Sequence, residues 1–263
     1  MKRLIKYLKG TYLGLLLLLL YSPIAVMIVL SFNESKSRAN FSWGGLKWYY
    51  ELFYQSPEII EALKLTLAVA VLATLISIVL GTLGAIGIHA CKKGYAAMLM
   101  NLSYLPMTMP DIVTGVSLML MFVFVNTYVY FPRGFFTMLI AHITFDTPYV
   151  LFSVMPKLKQ MNPNTYEAAL DLGCRPMKAI RKVILPEISP GIVTGGLLAF
   201  TMSLDDFVIS FFTSESNNLS MLVYAAAKRG VEPTIYALST LMFIAILILL
   251  IIINKRSDLE SIS

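Results

Sequence analysis

The chain has 263 residues, 57% of them hydrophobic and only 14% charged, with a mean hydropathy of +0.74. That balance excludes an ordinary soluble domain and describes a polytopic membrane protein. The net charge of +6 is not gathered in any compact basic domain, so it supports no nucleic-acid partner and reads instead as a topology signal.

A membrane-crossing helix needs about 20 apolar residues. Six stretches qualify, near 12–30, 65–88, 96–125, 135–155, 191–212 and 235–253. The predicted fold class is therefore all-α, with a transmembrane domain 11–253 between an N-terminus 1–10 and a tail 254–263. Lys2, Arg3, Lys6, Lys9, Lys92, Lys93, Lys157, Lys159, Arg175, Lys178, Arg181, Lys182, Lys255 and Arg256 fall on one side of the spans. Lys36, Arg38, Lys47, Lys64, Arg133, Lys228 and Arg229 fall on the other. Short loops rich in Lys and Arg stay cytoplasmic, which predicts both termini inside.

The first apolar run follows Lys2, Arg3 and Lys6 as in a secretory signal, but continues to Leu30 without a small-residue cleavage pattern, and is expected to be an uncleaved first helix. The loop 31–61 carries Trp43, Trp48, Tyr49, Tyr50 and Phe53. Such aromatics suit the headgroup boundary, and a short interfacial helix is expected over 46–54. Cys91 and Cys174 fall in cytoplasmic loops, where thiols stay reduced, with no metal-binding spacing.

Span three contains Pro106 and Pro110, each removing a backbone donor and clashing with the turn before it. A kink is expected there, with Asp111 positioned to cap the restarted helix. Broken helices at membrane depth are tolerated where they line a cavity or are buried in protein. On span four, His142, Asp146, Tyr149 and Ser153 share one helical face. His142 and Asp146 read as a hydrogen-bonded pair, since two ligands without a third make a weak metal site.

The segment 157–188 is amphipathic and lies between two membrane-length runs. Asn164 with Glu167 three residues later reads as a capping-box variant, Gly173 as a left-handed terminator, and Pro176 as the first residue of a second helix. Two short helices joined at Gly173 are expected, narrow at Ala168 and Ala169 and cationic at Arg175, Lys178, Arg181 and Lys182. Such a unit has no stabilising role in lipid, so it is expected to dock a partner in water; a solvated loop that merely obeys the positive-inside rule is the alternative.

On span five, Ser203, Asp206, Ser210 and Thr213 form a polar stripe, with Asp205 about 100° away. This predicts that Asp206 lines a path and Asp205 braces a neighbouring helix. A carboxylate within a span costs a few kcal/mol and faces a cavity or partner. Asp111, Asp146, Asp205 and Asp206 have no Lys or Arg inside these spans to neutralise them. Acids alone suit a cationic cargo; interhelical hydrogen bonding is the structural alternative. The outer loop 213–234, polar at Ser214 to Asn218, is the better candidate for contact with an external protein. No Gly-x-x-x-x-Gly-Lys-[Ser/Thr] stretch occurs, so the nucleotide-phosphate cradle is missing, and no catalytic residue, cofactor or metal is assigned to this chain.

These residues also carry a family resemblance. Glu167-Ala168-Ala169, Gly173 and Leu185-Pro186 resemble the EAA loop of ABC importer permeases, with Val183 where that pattern usually has Ile. Met109-Pro110-Asp111-Ile112-Val113, His142-Ile143-Thr144-Phe145 and Ser203-Leu204-Asp205-Asp206 resemble, in order and spacing over nearly the whole chain, the second permease of spermidine/putrescine importers. The resemblance implies a MetI-like permease fold in a bacterial inner membrane. It implies coupling through Glu167, Ala168, Ala169, Gly173, Leu185 and Pro186, and a polyamine pathway at Asp111, Asp146, Tyr149, Asp205, Asp206 and Ser210. The implied partners are a second permease subunit, two ATP-binding subunits holding ATP and Mg, and an extracytoplasmic substrate-binding protein. The alternatives are a permease for another small solute, such as ferric ion or an organic cation, and a membrane enzyme built on His142 and Asp146.

Overall fold

In the computed structural model, which describes residues 2–35 and 40–260, the chain forms helices throughout, with one isolated antiparallel bridge between Asn33 and Trp43. Lys36 and Arg38 of the charge tally, and 261–263 of the tail, lie outside the described residues.

One compact unit comprises residues 1–61 and 223–263. Its first helix, α1 (Lys2–Leu30), is apolar and exposed along most of its length. The loop that follows is organised by Asn33. Its side chain accepts from the amide of Ser42 at 2.8 Å, while its carbonyl accepts the indole N–H of Trp48. The expected interfacial helix is present as α2 (Lys47–Gln55). The aromatics divide between two roles: Trp48 is 2% exposed and structural, whereas Trp43 is 72% exposed and stacks on Phe32.

The second unit, residues 62–222, holds the spans between the first and the last. The helix α3 (Pro57–Ala90) puts small residues inside, Ala70, Ala73, Ser77, Gly81 and Ala85, and leaves Leu67, Val71, Leu75, Val79 and Leu83 outside. Small residues inward and large apolar ones outward is the pattern of a helix packed in lipid, where close backbone approach holds helices together. The third span is split into α4 (Lys93–Thr108) and α5 (Asp111–Tyr128), with Met109 and Pro110 extended between them. The break falls at Pro110, whose preceding residue is driven out of the helical region. Pro106 stays inside α4. The N-cap position is taken by Pro110, so Asp111 is the first helical residue rather than the cap.

At the centre lies α6 (Phe135–Gln160). Against it packs α9 (Leu185–Asp205), so closely that a Cβ at Gly191 would stand 2.8 Å from the Ser153 carbonyl. Among the described residues, five helices are long and apolar enough to cross a membrane, and the apolar stretch Pro233–Ile248 of α12 (Pro233–Glu260) stands where the sixth is expected. Span five differs from the expected continuous 191–212. It stops at Asp205, and the chain turns through Asp206 and Phe207 before α10 (Val208–Thr213), followed by α11 (Leu219–Arg229).

Between α6 and α9 the chain forms α7 (Pro163–Asp171) and α8 (Pro176–Ala179). The cap of α7 is Asn162, whose side chain accepts from the Asn164 amide, two residues before the predicted cap. Pro163 forces this, because it suits the first helical position and cannot supply a capped amide. Nor is the second helix short. It passes from α8 through a π-helical turn, Ile180–Ile184, directly into α9. Pro186 lacks an amide and crowds the carbonyl four residues back, and a wider turn relieves that crowding.

Candidate functional site: two interrupted helices and an exposed loop

The predicted acids converge where the two interrupted helices meet α6. The start of α5 lies against α10, since a Cβ at Gly115 would approach the Phe212 ring at 3.0 Å. Phe122 of α5, Phe145 of α6 and Ile209 of α10 pack in one apolar cluster, with Tyr149 against it. Tyr149 feels the charges of Asp111 and Asp146, and Asp146 feels that of Asp206. Four carboxylates from three elements thus share one neighbourhood.

Their roles within it are not those read from helical spacing. Asp206 is not on a continuous helical face, because the helix has ended one residue earlier. It turns its carboxylate onto the start of α10, accepting from Ile209 N at 3.2 Å, Ser210 N at 2.8 Å and Ser210 Oγ at 2.9 Å. Its side chain is only 8% exposed, while Asp205 is exposed. The expected arrangement, Asp206 open and Asp205 bracing, is therefore reversed in the chain's own packing. Once the helix breaks, 100° per residue no longer relates the two side chains.

His142 and Asp146 do not form the expected pair. The imidazole Nδ1 meets Ser203 Oγ and Nε2 meets Ser210 Oγ at 3.0 Å, with Asp206 Oδ2 3.6 Å away. Ser203, Ser210 and Thr213 of the predicted stripe are all buried. Asp146 is fully buried, and neither carboxylate oxygen has a hydrogen-bond partner among the described residues. Sequence reasoning missed Asn218, whose side chain donates to the Asp206 carbonyl and accepts from Met221 N, holding the far side of the break. It missed Thr66 as well, which accepts the Leu219 amide at 2.9 Å across 153 residues of sequence. Asn directly before the first turn of α11 is a cap signal that could have found Asn218, whereas no local signal marks Thr66.

The second feature is the loop. Gly173 adopts φ +83°, and the amide of Cys174 reaches the carbonyl of Ala169 while Gly173 N reaches Leu170 O. This is a Schellman ending, as the sequence predicts. Glu167, Ala168 and Leu172 are exposed, Leu172 at 86%, while Tyr166, Ile180 and Leu185 pack onto the core beneath α6 and α9. The loop is thus rigidly seated on the span that breaks at Asp206, and presents an open face containing an apolar tip.

An all-α membrane protein with polar interrupted spans and an exposed loop seated between two of them has the architecture of a membrane permease component. The chain belongs to the family described as binding-protein-dependent transport system inner membrane component, whose model matches residues 92–258. It is 37% identical over 236 residues to the putrescine transport system permease protein PotI of Escherichia coli, spanning 86% of this chain and 82% of that one. It is 33% identical over 249 residues to the spermidine/putrescine transport system permease protein PotC of Haemophilus influenzae, spanning 94% and 95%. A chain of a bacterial ABC transporter involved in import of the acidic polysaccharide alginate superposes with a TM-score of 0.66 at 20% identity, covering 96% of each chain. A chain of the MetNI methionine ABC transporter, facing inward, superposes with 0.62 at 18% identity, covering 80% of this chain and 98% of that one. At such identities these two establish the shared fold alone.

Proposed function

We propose that this chain forms half of the translocation pathway of an ATP-driven polyamine importer, taking spermidine or putrescine. The observation that carries this reading is the gathering of Asp111, Asp146, Asp205 and Asp206 around two interrupted helices, in a chain whose relatives are named for those cargoes. An ammonium about 4 Å from a carboxylate gains on the order of 4 kcal/mol at an effective dielectric of 20, before desolvation offsets much of it. Asp111 and Asp205 are exposed and meet the cation first, with Tyr149 beside them; Asp146 and Asp206 supply negative potential from behind, Ser210 holding the latter.

The pathway is completed by a second permease subunit. Two ATP-binding subunits carry ATP and Mg, this chain having no ATPase site of its own, and an extracytoplasmic binding protein delivers cargo. Glu167, Ala168, Ala169 and Gly173 engage an ATP-binding subunit, while Leu185 and Pro186 pass its motion into α9, which ends at the acids. The loop and both termini face the cytoplasm of a bacterial cell, by the excess of Lys and Arg there.

The test is uptake of radiolabelled spermidine and putrescine by the assembled transporter in proteoliposomes, with ferric citrate and choline as competitors. Saturable, ATP-dependent uptake that unlabelled polyamine alone suppresses is expected. Suppression by ferric citrate or choline instead would reassign the cargo. Impermeant thiol labelling of intact cells should reach Ser216→Cys and spare Cys174; the opposite pattern inverts the topology.

A further inference from the structure

We infer that His142 is a positioning residue for Asp206, acting through Ser210 in a buried hydrogen-bond relay that has a single consistent proton order. Asp206 Oδ2 already accepts the Ser210 amide, and the Ser210 hydroxyl lies 2.9 Å from the same oxygen. A hydroxyl has one proton, and the carboxylate takes it. Ser210 Oγ can then only accept from the imidazole, so the hydrogen of the ring sits on Nε2. With Nε2 protonated, the neutral ring offers Nδ1 as an acceptor, and Ser203 Oγ–H fills it.

The order is therefore Ser203 Oγ–H to Nδ1, Nε2–H to Ser210 Oγ, and Ser210 Oγ–H to Asp206 Oδ2. Each of these side-chain groups is satisfied, whereas removing the proton from Nε2 would turn the Ser210 hydroxyl toward the ring and away from Asp206 Oδ2. His142 and Ser203 are 2% exposed and Ser210 is fully buried, so water does not compete. Ser203 belongs to α9, Ser210 to α10 and His142 to α6. The ring thus bridges both halves of the broken span and fixes the carboxylate that terminates it. Two serines seven residues apart cannot meet one imidazole from an unbroken helix face in this way; the break at Asp206 and Phe207 brings them together.

The functional consequence rests on the proposed role of Asp206 in a cation pathway, whereas the relay itself does not, and two measurements separate them. The chain has two histidines, His89 and His142, and His89 is exposed at the end of α3. The full chain carrying His89→Gln and 15N-histidine, in lipid bilayers at pH 7, therefore gives one imidazole in solid-state NMR. A neutral ring protonated on Nε2 is expected, and Ser210→Ala should shift its resonances. Protonation on Nδ1, on both nitrogens, or a spectrum unmoved by Ser210→Ala overturns the relay.

In the assembled transporter, His142→Leu should lower spermidine uptake at least tenfold, and His142→Gln, which can donate and accept, should restore part of it. His142→Leu combined with Asp206→Asn should be no worse than Asp206→Asn alone, because both remove one function. Multiplying losses overturn the positioning role. Normal uptake by Asp206→Asn alone would reject the pathway reading of that acid while leaving the NMR result to decide the relay.

Discussion

The 157–188 loop and the acid cluster are two polar regions of one apolar chain, and they are built on opposite terms. The loop's geometry follows from neighbours in sequence. Pro163 fixes the start of α7, Gly173 at φ +83° ends it, and Pro176 opens the next helix. Its outer face is exposed and its bonds are short-range. The cluster depends on partners far apart in the chain, His142 with Ser203 and Ser210, Leu219 with Thr66. Its polar groups are mostly buried. A region meant for a partner in water can rely on local chemistry, whereas a polar region inside a membrane must have its hydrogen bonds completed by tertiary contacts.

The largest effect should come from breaking the local rule at its one irreplaceable point. Gly173→Val forces a β-branched residue into the left-handed region, at a cost of roughly 1–2 kcal/mol or more, and should misdirect the loop while leaving the protein in the membrane. Uptake should fall to background, with co-purification of the ATP-binding subunit lost. Glu167→Lys, which replaces an exposed acid of α7 by a cation, should act in the same direction. Normal uptake and binding in both variants would remove the loop from the coupling role.

The next prediction separates charge from capping at Asp206. Asn keeps one accepting oxygen, so Asp206→Asn retains part of the bonding at the start of α10 while removing the charge, and Asp206→Ala removes both. If the charge attracts cargo, Asp206→Asn should already cost tenfold or more in uptake, a factor that needs only about 1.4 kcal/mol. Asp206→Ala should add the loss of a cap, about 1 kcal/mol, seen as a lower thermal midpoint. Full activity in Asp206→Asn with a defect confined to Asp206→Ala would leave this acid as a cap only.

A smaller effect tests the packing of α9 against α6, between the loop and the cluster. Gly191→Ala places a methyl against the Ser153 carbonyl and the Val154 backbone, and overpacking of this kind costs typically 1–3 kcal/mol. Gly94→Ala meets open space and should be silent. Thermal stability in detergent should rank the two; equal behaviour would mean the α6 to α9 contact yields easily. Smallest of all is Arg133→Ala, which removes an exposed pair with Glu215 at 2.9 Å. Such pairs contribute about 0–1 kcal/mol, so stability should change within that range.

Much of this was legible beforehand. Membrane class, helical fold, the interruption at Pro110, the α2 helix and the Gly173 turn all follow from composition, proline and glycine chemistry, which act within a few residues. Which acids lie in the apolar segments was legible too, because an unneutralised carboxylate in a span stands out against lipid. Their arrangement was not. Periodicity through 191–212 assumed an unbroken helix, and no proline or glycine stands at Asp206 or Phe207 to signal otherwise. The break is held by Asn218 on one side and by Ser210 and the adjacent amides on the other.

What the sequence alone determined, then, is which groups this protein brings into the membrane and where its chain must turn by local necessity. The tertiary structure decided which carboxylate is left open and which is bound, why His142 joins serines rather than Asp146, and how α8 runs through into α9. The physical reason is range. Backbone preferences act over one or two turns of helix, while the satisfaction of a buried polar group depends on whatever distant segment can reach it, and only the packed fold supplies that segment.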